Sequence, residues 1–153
     1  MSREIALSVI IPIYNEEGNI PLLFERLNSV TEKLGVTKEF IFINDGSKDK
    51  SIHLIRELSL KYDYIKYINF SRNFGHQIAV TAGLDYSSGK KVAIIDADLQ
   101  DPPELIIDMY NKMEEGNEVV YAKRRVREGE TVFKKTTSKT PLEFREDYLK
   151  NKN

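Results

Sequence analysis

The sequence predicts an α/β fold, a mostly parallel β-sheet flanked by helices. Three observations predict it. Short apolar runs of strand length alternate with longer segments whose apolar residues recur at helical spacing. The alternation continues in the order β-α-β-α-β-α-β-α-β, the pattern of the crossover units that build parallel sheets. Each of the first four apolar runs is followed by a polar cluster, and the carboxyl ends of parallel strands are where such sheets bind ligands.

The elements follow in order. Residues 6–11, Ala-Leu-Ser-Val-Ile-Ile, read as a buried strand that ends at Pro12, which lacks an N–H for the ladder. Residues 18–34 place Ile20, Leu23, Phe24, Leu27, Val30 and Leu34 on one helical face. Residues 39–43, Glu-Phe-Ile-Phe-Ile, are the second strand. Residues 49–61 form a second helix with Ile52, Ile55 and Leu58 inward. A third, shorter strand spans 65–69, and a helix spans 75–87. Residues 91–95, Lys-Val-Ala-Ile-Ile, are the fourth strand, residues 102–115 a helix, and Glu118 to Ala122 a fifth strand. From about residue 129 the chain is basic, rich in Thr and Lys and weakly periodic. This divides it into a domain at 1–128 and a C-terminal tail at 129–153.

Composition narrows the chemistry. The 153 residues suffice for one domain with one core, and 41% hydrophobic with 31% charged residues is an ordinary globular balance. Cysteine is absent, which excludes disulfides and thiolate metal sites. Two histidines, His53 and His76, are too few for a histidine-rich centre. A bound metal would be held by carboxylate oxygens, which suits Mg²⁺ or Mn²⁺. No run approaches the roughly 18 to 20 apolar residues of a membrane helix. The reading therefore places the chain in the cytoplasm, or at the cytoplasmic face of a membrane in a full-length form. No G-x-G-x-x-G fingerprint or P-loop is present, which speaks against a dinucleotide oxidoreductase or an NTPase.

Charge is unevenly spread. Residues 123–153 hold 10 Lys or Arg against 5 Asp or Glu, whereas the rest holds 13 against 19. A basic segment behind an acidic body suits an anionic partner such as phosphate or a membrane surface, and equally suits a solvated tail. Nucleic acid is not expected, because no aromatic residue interleaves the run Lys123-Arg124-Arg125-Val126-Arg127.

The polar clusters carry the chemistry. Asp96-Ala97-Asp98 puts two carboxylates at a strand end, where both can reach one hard cation that also binds phosphate oxygens. Gln100 stands close enough to touch a metal-bound phosphate. Asp101-Pro102-Pro103-Glu104 reads as structure: Asp101 as N-cap, Pro102 at the first helical position and Glu104 completing a capping box. Asn44-Asp45-Gly46-Ser47 reads as a turn with Gly46 at positive φ and Ser47 or Asp49 capping the next helix. It also presents the Asp45 carboxylate to a base or ribose. In Pro12-Ile13-Tyr14-Asn15-Glu16-Glu17, Tyr14 can stack on a base and Glu16 can bond a base or ribose, or both can be ordinary residues of a helix entry. Arg72 in Arg72-Asn73-Phe74-Gly75-His76 offers a cation to a diphosphate, or is a surface arginine; His76 reads as structural. Arg124 and Arg127 suit phosphate recognition.

Together these segments resemble family-2 glycosyltransferases of the GT-A fold, and most closely the polyprenyl-phosphate glycosyltransferases of the dolichol-phosphate mannose and bactoprenol glucose type. The residues that carry the resemblance are Val9 to Glu16, Asn44 to Ser47, Ser71 to Gln77 and Asp96 to Glu104, with Arg124, Arg127, Glu128 and Gly129 following. The resemblance covers roughly residues 5–138. It implies inverting transfer of a sugar from a UDP- or GDP-sugar to a polyprenyl phosphate. In that reaction Pro12, Tyr14 and Glu16 line the nucleotide pocket, with Asp45 close to the base. Asp96 and Asp98 handle the metal and diphosphate with Gln100 nearby, Asp98 being counted as catalytic. Arg124 and Arg127 face the acceptor's phosphate. Family members continue into a further acidic segment and membrane helices that this sequence lacks. The expectation is a chain that carries mainly the donor half, binding nucleotide but turning over poorly. The alternatives are a non-catalytic nucleotide-sugar-binding module, and an adaptor that meets a membrane or a partner through its basic tail.

Overall fold

The computed structural model describes residues 3–122. Its elements are β1 (Leu7–Ile13), α1 (Ile20–Leu34), β2 (Lys38–Asn44), α2 (Ser51–Lys61), β3 (Ile65–Asn69), α3 (His76–Tyr86), β4 (Lys91–Ile94) and α4 (Leu105–Glu114). The strands form one sheet in the order β3-β2-β1-β4, and every pairing is parallel. The predicted α/β class and all four helices are borne out.

The apolar runs are explained by burial on both sides. Val9, Ile11 and Ile13 point to one face of the sheet, where they pack with Leu23, Leu27, Ile55, Ile106 and Met109 from α1, α2 and α4. Ile10, Ile41 and Ile43 point to the other face and pack with Ala79 of α3. A strand covered on both faces loses the polar alternation of a half-exposed one. On the second face α3 comes close because Gly83 has no side chain. A Cβ there would lie 2.5 Å from Cγ2 of Ile10 and 2.8 Å from Cδ1 of Ile43.

The order of connections positions the site. The chain steps from β1 to β2 to β3 in one direction, then crosses back through α3 to place β4 on the far side of β1. The strand order therefore reverses between β1 and β4. In an open parallel sheet the crevice for ligands lies at the carboxyl ends of the two strands that flank such a reversal.

Three expectations are corrected. First, β1 does not end at Pro12 but runs on to Ile13, with Pro12 opposite Ile43. The carbonyl of Ile10 accepts from Ile95 of the β4 side and that of Ile13 from Asp45 of the β2 side. By alternation, Pro12 faces the β4 side, where the ladder has already ended at the Ile10–Ile94 pair. Its missing N–H therefore costs no bond. Second, Glu118 to Ala122 forms no strand. Val120 and Ala122 pack against the α1–α4 side of the core, so their apolar character is used without a ladder. Third, Asp101 and Glu104 make no capping box. α4 starts at Leu105 with no side-chain cap. Its first amides are satisfied by tight backbone bonds, Leu105 to Pro102, Ile106 to Pro103 and Ile107 to Glu104. The Glu104 carboxylate instead takes both ends of the Arg26 guanidinium of α1, at 3.0 and 2.6 Å. This pairing holds the Glu104 carboxyl below its ordinary pKa.

Candidate functional site

Four loops follow the four strands and open on one edge of the sheet, as expected for parallel strands. Three of them are joined to one another by hydrogen bonds. After β1, Asn15 adopts a left-handed conformation with φ 53°, which asparagine tolerates better than most residues. Its N–H donates to Oγ of Ser47 at 2.9 Å, and its side-chain oxygen accepts from the N–H of Lys48 at 2.8 Å. The N–H of Glu16 donates to Oγ of Ser51 at 2.9 Å, and that of Glu17 to Asp49 at 3.1 Å. In return the Glu17 carboxylate accepts from the N–H of Lys50 at 3.0 Å.

Asp49 thus serves both loops, since it also accepts from the N–H of Ser51 at 2.9 Å. Burial raises its pKa, but the bonds from Ser51 and Glu17 outweigh it, so Asp49 sits below the usual carboxylate range. Glu16 remains half-buried with its carboxylate bonded to Nδ2 of Asn19 at 2.7 Å, while Tyr14 stands out at 46% exposure.

The loop after β2 grips the loop after β3. Asp45 is only 3% exposed. One carboxylate oxygen accepts from the N–H of Phe74 at 2.7 Å and the other from the N–H of Gly75 at 3.1 Å. Its carbonyl accepts from Nδ2 of Asn73 at 3.2 Å. Gly46 takes φ 71°, as the turn reading requires, and a Cβ there would fall 2.3 Å from the backbone nitrogen of Asn73. Arg72, exposed on this loop, lays its guanidinium over the Phe74 ring at 4.0 Å.

The fourth loop carries the acidic pair. Asp96 is half-buried between the buried Ile95 and Ala97, and Asp98, after Ala97, is exposed. An Oδ of Asp98 accepts from the N–H of Gln100 at 3.1 Å. This Asx turn spans Leu99, which is forced to φ 61°. A left-handed leucine costs roughly 1–2 kcal/mol, and Leu99 is held there by packing against the core. Nε2 of His76, the first residue of α3, lies 3.8 Å from Oδ1 of Asp96, so α3 brings a histidine to the acidic loop.

The acidic loop offers a small donor set for a hard cation. Among the described residues no three His, Cys, Asp or Glu side chains gather into a metal cage. Asp96 and Asp98 are two carboxylates, and Mg²⁺ commonly binds through one or two carboxylates with substrate phosphates and water completing the shell. The residues fit a cation shared with a phosphate ligand rather than one bound by protein alone.

The predicted site residues divide as follows. Pro12, Tyr14 and Glu16 lie at the end of β1; Asp96, Asp98 and Gln100 lie beyond the end of β4, across the strand-order reversal. Asp45 and Arg72 belong to the neighbouring pair of loops. Arg124 and Arg127, and the tail at 129–153, lie outside the described residues. Sequence reasoning missed Ser51 and Asn73 as loop-joining residues and His76 as a neighbour of Asp96. No spacing rule could have found them, because each contact joins segments twenty or more residues apart.

The sequence model of "Glycosyl transferase family 2" matches residues 8–153. The chain belongs to this family. It is 55% identical over 138 residues to the uncharacterized glycosyltransferase YkcC of Bacillus subtilis, covering 90% of this chain and 43% of that protein. It is 38% identical over 132 residues to the bactoprenol glucosyl transferase of Shigella phage SfV, covering 86% of this chain and 43% of that protein. The chain thus spans less than half the length of these curated relatives. Among solved structures it resembles S. aureus TarS 1-349 in complex with UDP, with TM-score 0.63 and 24% identity, over 83% of this chain and 38% of that one. It also resembles glucosyl-3-phosphoglycerate synthase of Mycobacterium tuberculosis in complex with Mn²⁺, UDP and glucosyl-3-phosphoglycerate. There the TM-score is 0.61 at 20% identity, over 82% of this chain and 45% of that one. These likenesses establish the GT-A fold for this glycosyltransferase-family chain. Among the described residues no helix is long and apolar enough to cross a membrane.

Proposed function

We propose that this chain carries the donor-binding half of an inverting glycosyl transfer from a UDP- or GDP-sugar to a polyprenyl phosphate, at the cytoplasmic face of a membrane. The observation that carries the proposal is the reversal of strand order between β1 and β4. It sets the Tyr14–Glu16 loop beside the Asp96–Asp98 loop, an aromatic and hydrogen-bonding surface next to a pair of carboxylates. The bactoprenol glucosyl transferases among the relatives support the acceptor class. The UDP and Mn²⁺ in structures of the same fold support the donor and the cation.

In this reading Tyr14 stacks on the base and Glu16 bonds the base or ribose. Arg72 pairs with the diphosphate. Asp96 and Asp98 would hold Mg²⁺ or Mn²⁺, with Gln100 beside it. When bound, such a cation neutralises charge on the departing diphosphate. The acceptor phosphate is already an oxyanion, so the protein's task is placement in line rather than deprotonation. Arg124 and Arg127 are assigned to that phosphate.

Calorimetric titration of UDP and GDP, with Mn²⁺ and then with EDTA, tests this. One nucleotide is expected to bind with Mn²⁺ and to be lost with EDTA or in Asp96→Ala/Asp98→Ala. Because the described residues bring only Asp96 and Asp98 to this loop and form no three-ligand group, Mn²⁺ alone is expected to bind far more weakly than Mn²⁺ with nucleotide. A folded chain that takes neither nucleotide in the presence of Mn²⁺ refutes the proposal.

A further inference from the structure

We infer that Asn15 and Ser47 are positioning residues of the donor site: they clasp the loop after β1 to the loop after β2 and so hold Tyr14 in place. The inference rests on the donor-site reading above, in which Tyr14 contacts the nucleotide, and adds the residues that keep it there.

The backbone ladder between β1 and β2 ends at the pair Ile13–Asn44. Beyond it the two chains stay joined through side chains. Asn15 donates its N–H to Oγ of Ser47 at 2.9 Å, and its own side-chain oxygen accepts from the N–H of Lys48 at 2.8 Å. Two residues on, Glu17 repeats the pattern. Its N–H donates to the Asp49 carboxylate at 3.1 Å, and its carboxylate accepts from the N–H of Lys50 at 3.0 Å. The parallel ladder is thus lengthened by two rungs in which side-chain oxygens take the place of backbone carbonyls.

The rungs differ from the ladder by one residue. Only Tyr14 lies between Ile13 and Asn15, whereas Asp45 and Gly46 lie between Asn44 and Ser47. Gly46 takes up the extra residue at φ 71°, and Asn15 turns to φ 53° where it meets Ser47. The left-handed region is unfavourable for most residues, so the turn at Asn15 is held by the bonds it allows.

Tyr14 is therefore fixed on both sides. The carbonyl of Ile13 before it accepts from the N–H of Asp45 at 2.8 Å, and the N–H of Asn15 after it is held by Ser47. Its side chain is still 46% exposed, so burial of the ring does not explain the bonds around it. An exposed aromatic on a backbone tied at both flanks is a surface ordered before its ligand arrives, and order already present does not weaken binding. Both ties lead to the loop after β2, so the clasp also fixes the spacing between Tyr14 and Asp45.

Calorimetric titration of UDP and GDP with Mn²⁺ into the full chain, with amide exchange followed by NMR without nucleotide, tests the clasp. Ser47→Ala removes the acceptor of the Asn15 N–H. Asn15→Gly keeps a left-handed backbone accessible but removes the acceptor of the Lys48 N–H. Each is expected to weaken the nucleotide that the wild type binds about tenfold, because ordering the loop then falls to the binding step. Exchange is expected to rise at the Asn15 amide in Ser47→Ala and at the Lys48 amide in Asn15→Gly. Ser47→Thr keeps the hydroxyl and is expected to keep both affinity and protection. In a Tyr14→Ala background the further effect of Ser47→Ala is expected to fall below about twofold, as for two residues acting along one path. Losses that add in the double variant give Ser47 a ligand contact of its own and overturn the inference. Unchanged affinity in both single variants, or unchanged exchange at both amides, also overturns it, and each of these results leaves the donor site standing. A wild-type chain that takes neither nucleotide overturns the donor site and this role within it.

Discussion

Glu39 is the charged residue whose replacement should cost the most stability. It is the second residue of β2, with 1% exposure, opposite Ser8 in the register with β1. One carboxylate oxygen accepts from Oγ of Ser8 at 2.6 Å, from the N–H of Ser88 at 2.7 Å and from Oγ of Ser88 at 3.0 Å. The other accepts from Nζ of Lys66 at 2.5 Å. Ser8 passes the connection on by accepting from the N–H of Gly89 at 2.8 Å. The network thus ties the turn before β4 to the central strands. Glu39→Ala strands three donors and leaves a cavity. At about 1–3 kcal/mol for each buried group left unsatisfied, and with some donors reaching water through relaxation, a loss of about 3–5 kcal/mol follows. Glu39→Gln keeps the crowded oxygen and replaces the other by an amide that faces Lys66. That ammonium is half-exposed and can turn to solvent, so about 1–2 kcal/mol is expected.

The pH dependence of the Glu39 contribution has a definite sign. Burial raises the Glu39 pKa, but the hydrogen bonds from Lys66, Ser8 and Ser88 outweigh it and the net shift is downward. A depressed carboxyl stabilises the fold above its unfolded pKa, about 4.3. That stability is lost as the pH falls below this value through the folded pKa. The gap between wild type and Glu39→Gln should therefore be full at pH 7 and narrow in acid. Urea denaturation at pH 7 and at steps below pH 5 measures both. A Glu39→Gln variant within about 0.5 kcal/mol of wild type at pH 7, or a gap that does not narrow in acid, refutes this account.

Two further outcomes test the packing. Gly83→Ala places a methyl 2.5 Å from Ile10 and 2.8 Å from Ile43; overpacking of about 1–3 kcal/mol should exceed the helix-propensity gain of up to about 1 kcal/mol, so a variant more stable than wild type in urea contradicts the close approach of α3. Glu104→Gln should cost under about 1 kcal/mol, because its ion pair with Arg26 is partly solvated; a larger loss in thermal melts, with α4 unravelling, would revive the capping role that the structure denies it.

The fold was legible because burial on both faces leaves a plain signature. Val9 to Ile11 and Phe40 to Ile43 are unbroken apolar runs, and helical spacing stands out between them. The errors share one cause, which is that local chemistry has several outlets. Glu104 is well placed to cap α4, yet Arg26 lies 78 residues away in sequence and within bonding distance in space. Val119 and Val120 have strand character, yet the segment forms no strand and Val120 packs against the core. Asp45 is not among these errors: it keeps the residue type and position of a ligand group, and the fold adds that its oxygens accept from the amides of Phe74 and Gly75. Glu39 was read simply as part of a strand. A lone carboxylate entering a strand covered on both faces signals a buried network, and its partners Ser88 and Lys66 cannot be identified from spacing.

The polar groups of the sheet separate into two populations by where they sit. At the amino ends of the strands, the buried Glu39 and Ser8 bond to each other, and the exposed Ser88 donates to Glu39 from the turn before β4. At the carboxyl ends, buried groups such as Asp45 fix the loops, while Tyr14, Arg72 and Asp98 stand exposed on them. Holding exposed polar and aromatic side chains on bonded loops adds little to folding, but it preorganises a surface for a ligand. The two ends should then respond differently to substitution. Changes at Glu39 should lower stability and leave nucleotide affinity alone, whereas changes at Tyr14 or Asp98 should do the reverse. Asp45 stands between them, buried like the first group and acting on the second. Of these residues, it alone is expected to move both readouts.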